Sequence, residues 1–327
     1  MKLATYKDGS RDGQLVVVSR DLRSAHYASG AATRLQQALD DWNFHAPQLE
    51  ELSQALNHEK ARNAFAFEPL RCMAPLPRAF QWASSSAFIH HVELECKTHN
   101  ADMPASLHTD PLVAQGDGSD LRGPCDDIVC ASEDYGIDFG AEVAVVTGDI
   151  AMGTQADAAL EGIRLVMLAN DVSLRNLIPA ELANGFGFFQ CKPAPSFSPV
   201  AVTPDELGAA WQGGRLDLDL ESVWNGKRAG LRNAGAEMTF HFGQLIAHIC
   251  KTRNVRAGSV VGSGTVSNKE ESRADSCIAK KRAIEMIESG APKTEYMRYG
   301  DTIRIEMMAP DGSSIFGAIE QRVAGPT

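Results

Sequence analysis

The stretch that most constrains the chain is Gly136–Val146, which reads Gly-Ile-Asp-Phe-Gly-Ala-Glu-Val-Ala-Val-Val. Alternation places Ile137, Phe139, Ala141, Val143 and Val145 on one face of a strand, and Asp138, Gly140, Glu142, Ala144 and Val146 on the other. An apolar run of this kind belongs in a core, yet two of its alternate positions are acidic. A carboxylate carried into a core is costly unless a positive group meets it. A hard divalent cation would meet it, since such ions take oxygen ligands. A half-exposed strand with a solvated acidic face is the alternative.

Several cues place this strand within a larger plan. Lys2–Tyr6 and Gln14–Val18 flank a turn-rich segment and read as a hairpin. Leu35, Leu39 and Trp42 then suit one helix and Leu49, Leu52 and Leu56 a second, with Ala46-Pro47 expected to separate them. The segment from Glu68 to Pro77 is a proline-rich connector, so a small α+β domain is expected over 1–70 and a larger one over 71–327. A helix bearing His90 and His91 follows Phe88. Residues 108–130 are rich in Gly, Pro and Asp and read as a long irregular stretch of the kind that often carries function.

Ile163–Ala169 is an apolar run that ends in Asn170-Asp171, then Arg175 and Lys192. Polar clusters directly after a buried strand are favoured places for chemistry. Asp171 could instead cap a helix. Asn225-Gly226 between alternating segments predicts a tight hairpin. Val260–Ser267 is a strand entering a glycine-rich turn whose N–H groups could hold an oxyanion. Thr302–Met307 and Ser314–Ile319 are expected to pair across Pro310-Asp311-Gly312.

Composition excludes some classes. A net charge of −11 argues against a general nucleic-acid binder, because phosphate backbones reward Lys/Arg surfaces. No apolar run approaches a membrane span. The seven cysteines are scattered without CxxC pairs, and the N-terminus lacks a signal-type core, so a reduced, cytoplasmic protein is expected.

Taken together, the Ile137–Val146 stretch, Asn170-Asp171 with Arg175, Lys192, Gly262-Ser263-Gly264-Thr265 and Tyr299-Gly300-Asp301 resemble the fumarylacetoacetate hydrolase family. The resemblance covers roughly residues 70–325, and the N-terminal module resembles the small domain that bacterial members carry. It implies an α+β, mostly β fold: a mixed β-roll with a small N-terminal domain, usually dimeric. It implies cleavage of a C–C bond in a fumarylacetoacetate-like β-diketo acid by His-activated water, with a small diketo or 2-oxo acid as partner. A 2-oxo-acid lyase on the same scaffold is the alternative, as is a metal-impaired, non-enzymatic family member. Mg²⁺ or Ca²⁺ is the implied cofactor, with Mn²⁺ possible in their place.

The implied ligands are Glu142 and Asp171. The family's Glu-x-Glu strand pattern would supply one more carboxylate, where this chain has Gly140, so Gly140→Glu is expected to tighten metal binding. His91 matches the catalytic base and Glu93 is the nearest orienting acid; in other members the acid comes from a segment that here reads Asp275–Lys280, in which only Asp275 is acidic. Arg175 and Lys192 match cationic substrate holders. Phe88 and Thr265 match positions that line the substrate.

Overall fold

The computed structural model describes residues 1–98, 102–269 and 276–326, without the side chains of His91, Glu95, Cys96 and Thr98. The chain is a mixed α+β fold built mostly of strands. Its helices are α1 (Leu35–Asp40), α2 (Trp42–Asn57), α3 (Ile89–Thr98), α4 (Ala156–Leu160), α5 (Ile178–Ala183), α6 (Phe242–Ile249) and α7 (Ile278–Ser289).

One long sheet runs through the molecule. From edge to edge its strands are Phe65–Ala66, Ser24–Tyr27, Gln14–Val18, Lys2–Tyr6, Ala201–Val202, Ile163–Asn170, Ala141–Thr147, Val260–Gly262, Trp82–Ser85 and Val113–Gly116, with Ser196–Phe197 pairing off Ile163–Asn170. The N-terminal strands therefore share a sheet with the rest of the chain, through Lys2↔Val202 and Leu3↔Ala201. A second sheet orders Lys227–Asn233, Asp219–Trp224, Thr302–Met307, Ile319–Ala324 and Ile128–Val129.

The Ala141–Thr147 strand lies near the middle of the long sheet and is buried on both faces. Ala141, Val143 and Val145 pack with Val166 and Leu168 on one side. Ala144 and Val146 pack on the other with Leu3, Leu15, Leu35 and Leu49 of the N-terminal segment. Two-sided burial accounts for the near-continuous apolar run. It also removes the half-exposed alternative, since Asp138 and Glu142 are both buried.

Three expectations are corrected. The strand is interrupted at Phe139-Gly140: Ile137–Asp138 pairs with Ser173–Leu174, and Ala141–Thr147 pairs with Ile163–Asn170. The break between α1 and α2 falls at Asp41, and Pro47 lies inside α2. Proline removes one donor near the helix start, and packing of Leu49 and Leu56 into the core retains the helix around it. The partner of Thr302–Met307 is Ile319–Ala324, while Ser314 makes only an isolated bridge to Met308. The Asn225-Gly226 hairpin is present, with both residues at positive φ as a tight turn requires.

Candidate functional site

A lysine, Lys192, meets one buried acid, Asp171, and its charge acts on a second, Glu142. Glu142 projects from the face of its strand that carries Ala144 and Val146, towards Ser84 and the glycine turn. Its carboxylate accepts from Ser84 Oγ at 3.1 Å and from the Gly264 N–H at 3.1 Å. The backbone donor that the sequence offered to a substrate oxyanion thus already holds the protein's own carboxylate. Gly262 makes this seat possible, because a Cβ there would lie 2.5 Å from Glu142 Oε2 and 2.5 Å from the Trp82 ring.

Asp171 follows the Ile163–Asn170 strand directly. Its Oδ2 accepts from Lys192 Nζ at 2.7 Å, and Lys192 also donates to Ser173 Oγ at 2.8 Å. The other oxygen, Oδ1, is buried without a hydrogen-bond partner. The capping alternative for Asp171 is set aside, since a short strand, Ser173–Leu174, follows it. Burial, and next the Asp171 charge, push the Glu142 carboxyl well above the usual carboxylate range; Lys192, Ser84 and Gly264 act in the opposite direction. Two buried acids share the charge of one partly exposed ammonium, with an excess of negative charge when both acids ionise.

Gly140 borders this group. Its N–H donates to Asn170 Oδ1 at 3.1 Å, and its carbonyl accepts from the Asp171 N–H at 2.9 Å. A Cβ at 140 would stand 2.7 Å from the Asp171 carbonyl oxygen and 3.2 Å from Thr265 Oγ1. The glycine is therefore a point of close backbone approach. Thr265 thus sits beside Gly140.

The remaining expected residues lie elsewhere or are otherwise engaged. Arg175 Nε donates to Asp138 Oδ2 at 2.9 Å, and Asp138 accepts the Ile278 and Ala279 N–H groups at 2.6 and 3.0 Å. Asp138 thus caps α7 from a distant strand, which explains the acid two residues before Gly140. Phe88 is 1% exposed and belongs to the core rather than to an open pocket wall. Glu93 Oε2 lies 3.5 Å from His90 Nδ1. That pairing is one residue away from the expected His91–Glu93 pair, because helix positions two apart point in different directions whereas positions three apart are neighbours. Burial, then the Lys280 charge, lower the His90 pKa. The His91 side chain and Asp275 lie outside the described residues. Lys280 is buried on α7 and donates to the Asn268 carbonyl at 2.9 Å.

Ser84, Ser173 and Gln321 are additions that sequence reasoning did not single out, and Asn170 was marked only as part of a motif, without a role of its own. Ser84 and Gln321 carried no local signal. Lys192 also lines a cleft of about 880 Å³ with Phe80, Gln81, Phe189 and Gln190. The turn leading to Lys192 is held by Glu181, whose carboxylate accepts from the Phe189, Gln190 and Cys191 N–H groups at 3.1, 2.5 and 3.1 Å. Against a desolvation that would raise it, these donors and the Cys191 thiol hold its pKa at about 2.

The sequence model "Fumarylacetoacetate (FAA) hydrolase C-terminal" matches residues 81–324, and "Fumarylacetoacetase N-terminal domain 2" matches residues 1–78. The chain belongs to the fumarylacetoacetate hydrolase family. Members of this family are enzymes of the hydrolase, isomerase and lyase type. The chain is 27% identical over 223 residues to a 2,4-didehydro-3-deoxy-L-rhamnonate hydrolase of Sphingomonas sp. (strain SKA58), covering 65% of this chain and 75% of that protein. Among solved structures, maleylpyruvate hydrolase from Sphingobium sp. SYK-6, in complex with manganese(II) and pyruvate, superposes with a TM-score of 0.66 at 14% identity over all of both chains. Fumarylacetoacetate hydrolase from Exiguobacterium antarcticum gives 0.62 at 17% identity, again over all of both chains. These likenesses show the fold. Among the described residues, no helix is long and apolar enough to cross a membrane.

Proposed function

We propose that the chain hydrolyses the C–C bond between the carbonyls of a small 2,4-dioxo acid, releasing a 2-oxo acid and a carboxylic acid. The observation that carries this reading is the buried acid pair Glu142 and Asp171 with Lys192 beside Asp171, one oxygen of Asp171 being left unpartnered. The name of the Sphingomonas relative's substrate describes a 3-deoxy acid oxidised at carbons 2 and 4, which is the same β-dicarbonyl pattern.

The donor set fits a divalent cation. Mg²⁺ is commonly held by one or two carboxylates with water completing the shell. Glu142 and Asp171 are those carboxylates, and the orphaned Asp171 Oδ1 is a coordination atom without another use. With two carboxylates from the chain, water and substrate would supply the rest of such a shell. When bound, the cation supplies Lewis acidity to the substrate's carbonyl oxygens.

The chain's own residues do the following. Lys192 uses two of its three N–H donors on Asp171 and Ser173, and the third serves an anionic oxygen of the substrate. The cleft beside Lys192, with Phe80 and Phe189 on its walls, receives the tail beyond carbon 4. His91 is the base that takes a proton from water, an assignment that rests on the family resemblance. Water oxygen bonds to carbon 4, the bond between carbons 3 and 4 breaks, and its electron pair passes to carbon 3 as an enolate that is then protonated.

The test is pyruvate release from acetylpyruvate with Mg²⁺ or Mn²⁺ at saturation, for the parent and for Lys192→Met. The variant should lose about 10²-fold or more in kcat/KM, the scale for removing one donor to a developing oxyanion. Equal turnover in the two proteins, or none in the parent across a panel of acylpyruvates, refutes the reading. Gly140 favours one second reading, a member with weak cation affinity that binds such acids without cleaving them; ligand binding in the absence of pyruvate release would be its mark.

A further inference from the structure

Gly140 has no side chain, so whatever aligns it with Asp171 must act through its backbone. One such group is Asn170 Oδ1, which accepts the Gly140 N–H at 3.1 Å. The Asn170 Nδ2 donates to Gln321 Oε1 at 2.9 Å. Gln321 Nε2 in turn donates to the Asp126 carbonyl at 2.6 Å and to Ser196 Oγ at 2.7 Å. Asn170, Ser196 and Gln321 are buried. The chain of contacts begins on the second sheet, at the Ile319–Ala324 strand, and ends at the break in the long sheet beside the acid pair.

The direction of this chain is fixed at both ends. A backbone carbonyl only accepts, so Asp126 determines which end of the Gln321 amide carries the NH₂ group. That leaves Oε1 facing Asn170, which must then present its own NH₂ there and its Oδ1 to Gly140. At the far end the Gly140 N–H only donates, and it demands the same orientation. The Ser196 hydroxyl can donate or accept, so it adds a bond without setting the direction. Reversing either amide would oppose like groups in a buried place, at the cost of unsatisfied donors and acceptors.

We propose that Gln321 and Asn170 form a directional amide relay that positions Gly140 against Asp171, making Gln321 a positioning residue for the acid pair. The relay holds the Gly140 N–H while the Asp171 N–H holds the Gly140 carbonyl at 2.9 Å. Together they extend the pairing of Asn170 with Ala141 past the end of the ladder. Asp171 is thereby set beside Glu142 by atoms on the opposite sheet. The catalytic part of this inference rests on the proposed hydrolysis; the geometric part stands without it.

The experiment compares Gln321→Leu with Ser196→Ala, reading amide hydrogen exchange at single residues, the thermal midpoint, and pyruvate release from acetylpyruvate. Gln321→Leu should speed exchange at Gly140 by about tenfold or more relative to Val145, whose ladder bond the relay does not touch. It should also lower kcat/KM by about tenfold or more. Ser196→Ala, which removes a buried bond but keeps the direction, should leave both within about twofold even where its midpoint falls. Unchanged exchange at Gly140 in Gln321→Leu, or an equal change in Ser196→Ala, overturns the relay. Faster exchange with undiminished turnover overturns the positioning role. If the parent releases no pyruvate, the substrate reading fails while exchange still decides the relay. Gln321→Met, closer in shape to glutamine, is read in the same way should Gln321→Leu not fold.

Discussion

Replacing Glu142 by Gln should make the metal-free protein more stable while removing a carboxylate the site needs. Glu142 and Asp171 are two buried acids, and the partly exposed Lys192 ammonium pairs with Asp171. With Glu142 neutral, Asp171 and Lys192 balance. Glutamine keeps an oxygen for the Gly264 N–H, and its NH₂ can donate to Ser84 Oγ, so neither contact is stranded. An ion removed from water costs several kcal/mol after relaxation, and part of that is relieved in the variant. A gain of about 1–3 kcal/mol is expected in EDTA at alkaline pH. For a chain of this size that is a rise in midpoint of about 1–5 °C.

The pH dependence has a definite sign. Burial raises the folded-state pKa of Glu142 above its ordinary value of 4.5, so folding takes up a proton. The associated stability is complete below the unfolded value and is lost as pH rises through the folded one. The variant has no such group. The difference in midpoint should therefore be small near about pH 5 and widen towards about pH 8.5, as read by scanning calorimetry in EDTA. Mg²⁺ should raise the parent's midpoint more than the variant's, because a ligand that binds only the folded state stabilises it. A difference that does not vary with pH, or a variant less stable at alkaline pH, would refute the electrostatic account of the site.

Two further outcomes follow from the same geometry. Gly140→Glu restores a carboxylate but brings a Cβ to 2.7 Å from the Asp171 carbonyl, so in EDTA it should cost about 1–3 kcal/mol, with Mn²⁺ returning part of the loss in a melting experiment. No fall in midpoint in EDTA would show that the strand accommodates the side chain without strain. Asp138→Ala removes the carboxylate from Arg175 and both capping bonds from α7; a loss of about 3–5 kcal/mol is expected, with faster amide exchange at Ile278 and Ala279. An unchanged midpoint would mean that the ion pair and cap contribute nothing net.

Much of this protein was legible in one dimension because the physics involved is local. Alternation marked the Ile137–Val146 stretch, and Asn225-Gly226 marked a turn needing two positive φ values. The family resemblance, rather than local physics, singled out Glu142, Asp171 and Lys192; in the fold Lys192 bonds Asp171, and the charges of both act on Glu142. Misreadings arose where a local rule met a tertiary one. Pro47 breaks helices in isolation, but α2 keeps it because its leucines are buried. Ser314–Ile319 alternates adequately, yet the ladder of Thr302–Met307 is filled by Ile319–Ala324. Asp138 and Glu142 look alike in the sequence, but one caps a helix about 140 residues further along and the other accepts from Ser84 and the Gly264 N–H beside Asp171.

The sequence by itself determined which segments are apolar and which of them carry charged residues, since periodicity and residue type settle both; that Asp138 and Glu142 lie inside came from the fold. The tertiary structure alone decided what each buried charge meets. Ser84 reaching Glu142, Ile278 reaching Asp138 and Gln321 reaching Asn170 are contacts across 58, 140 and 151 positions of chain. A buried polar group requires a partner, but it places no requirement on where along the chain that partner is found.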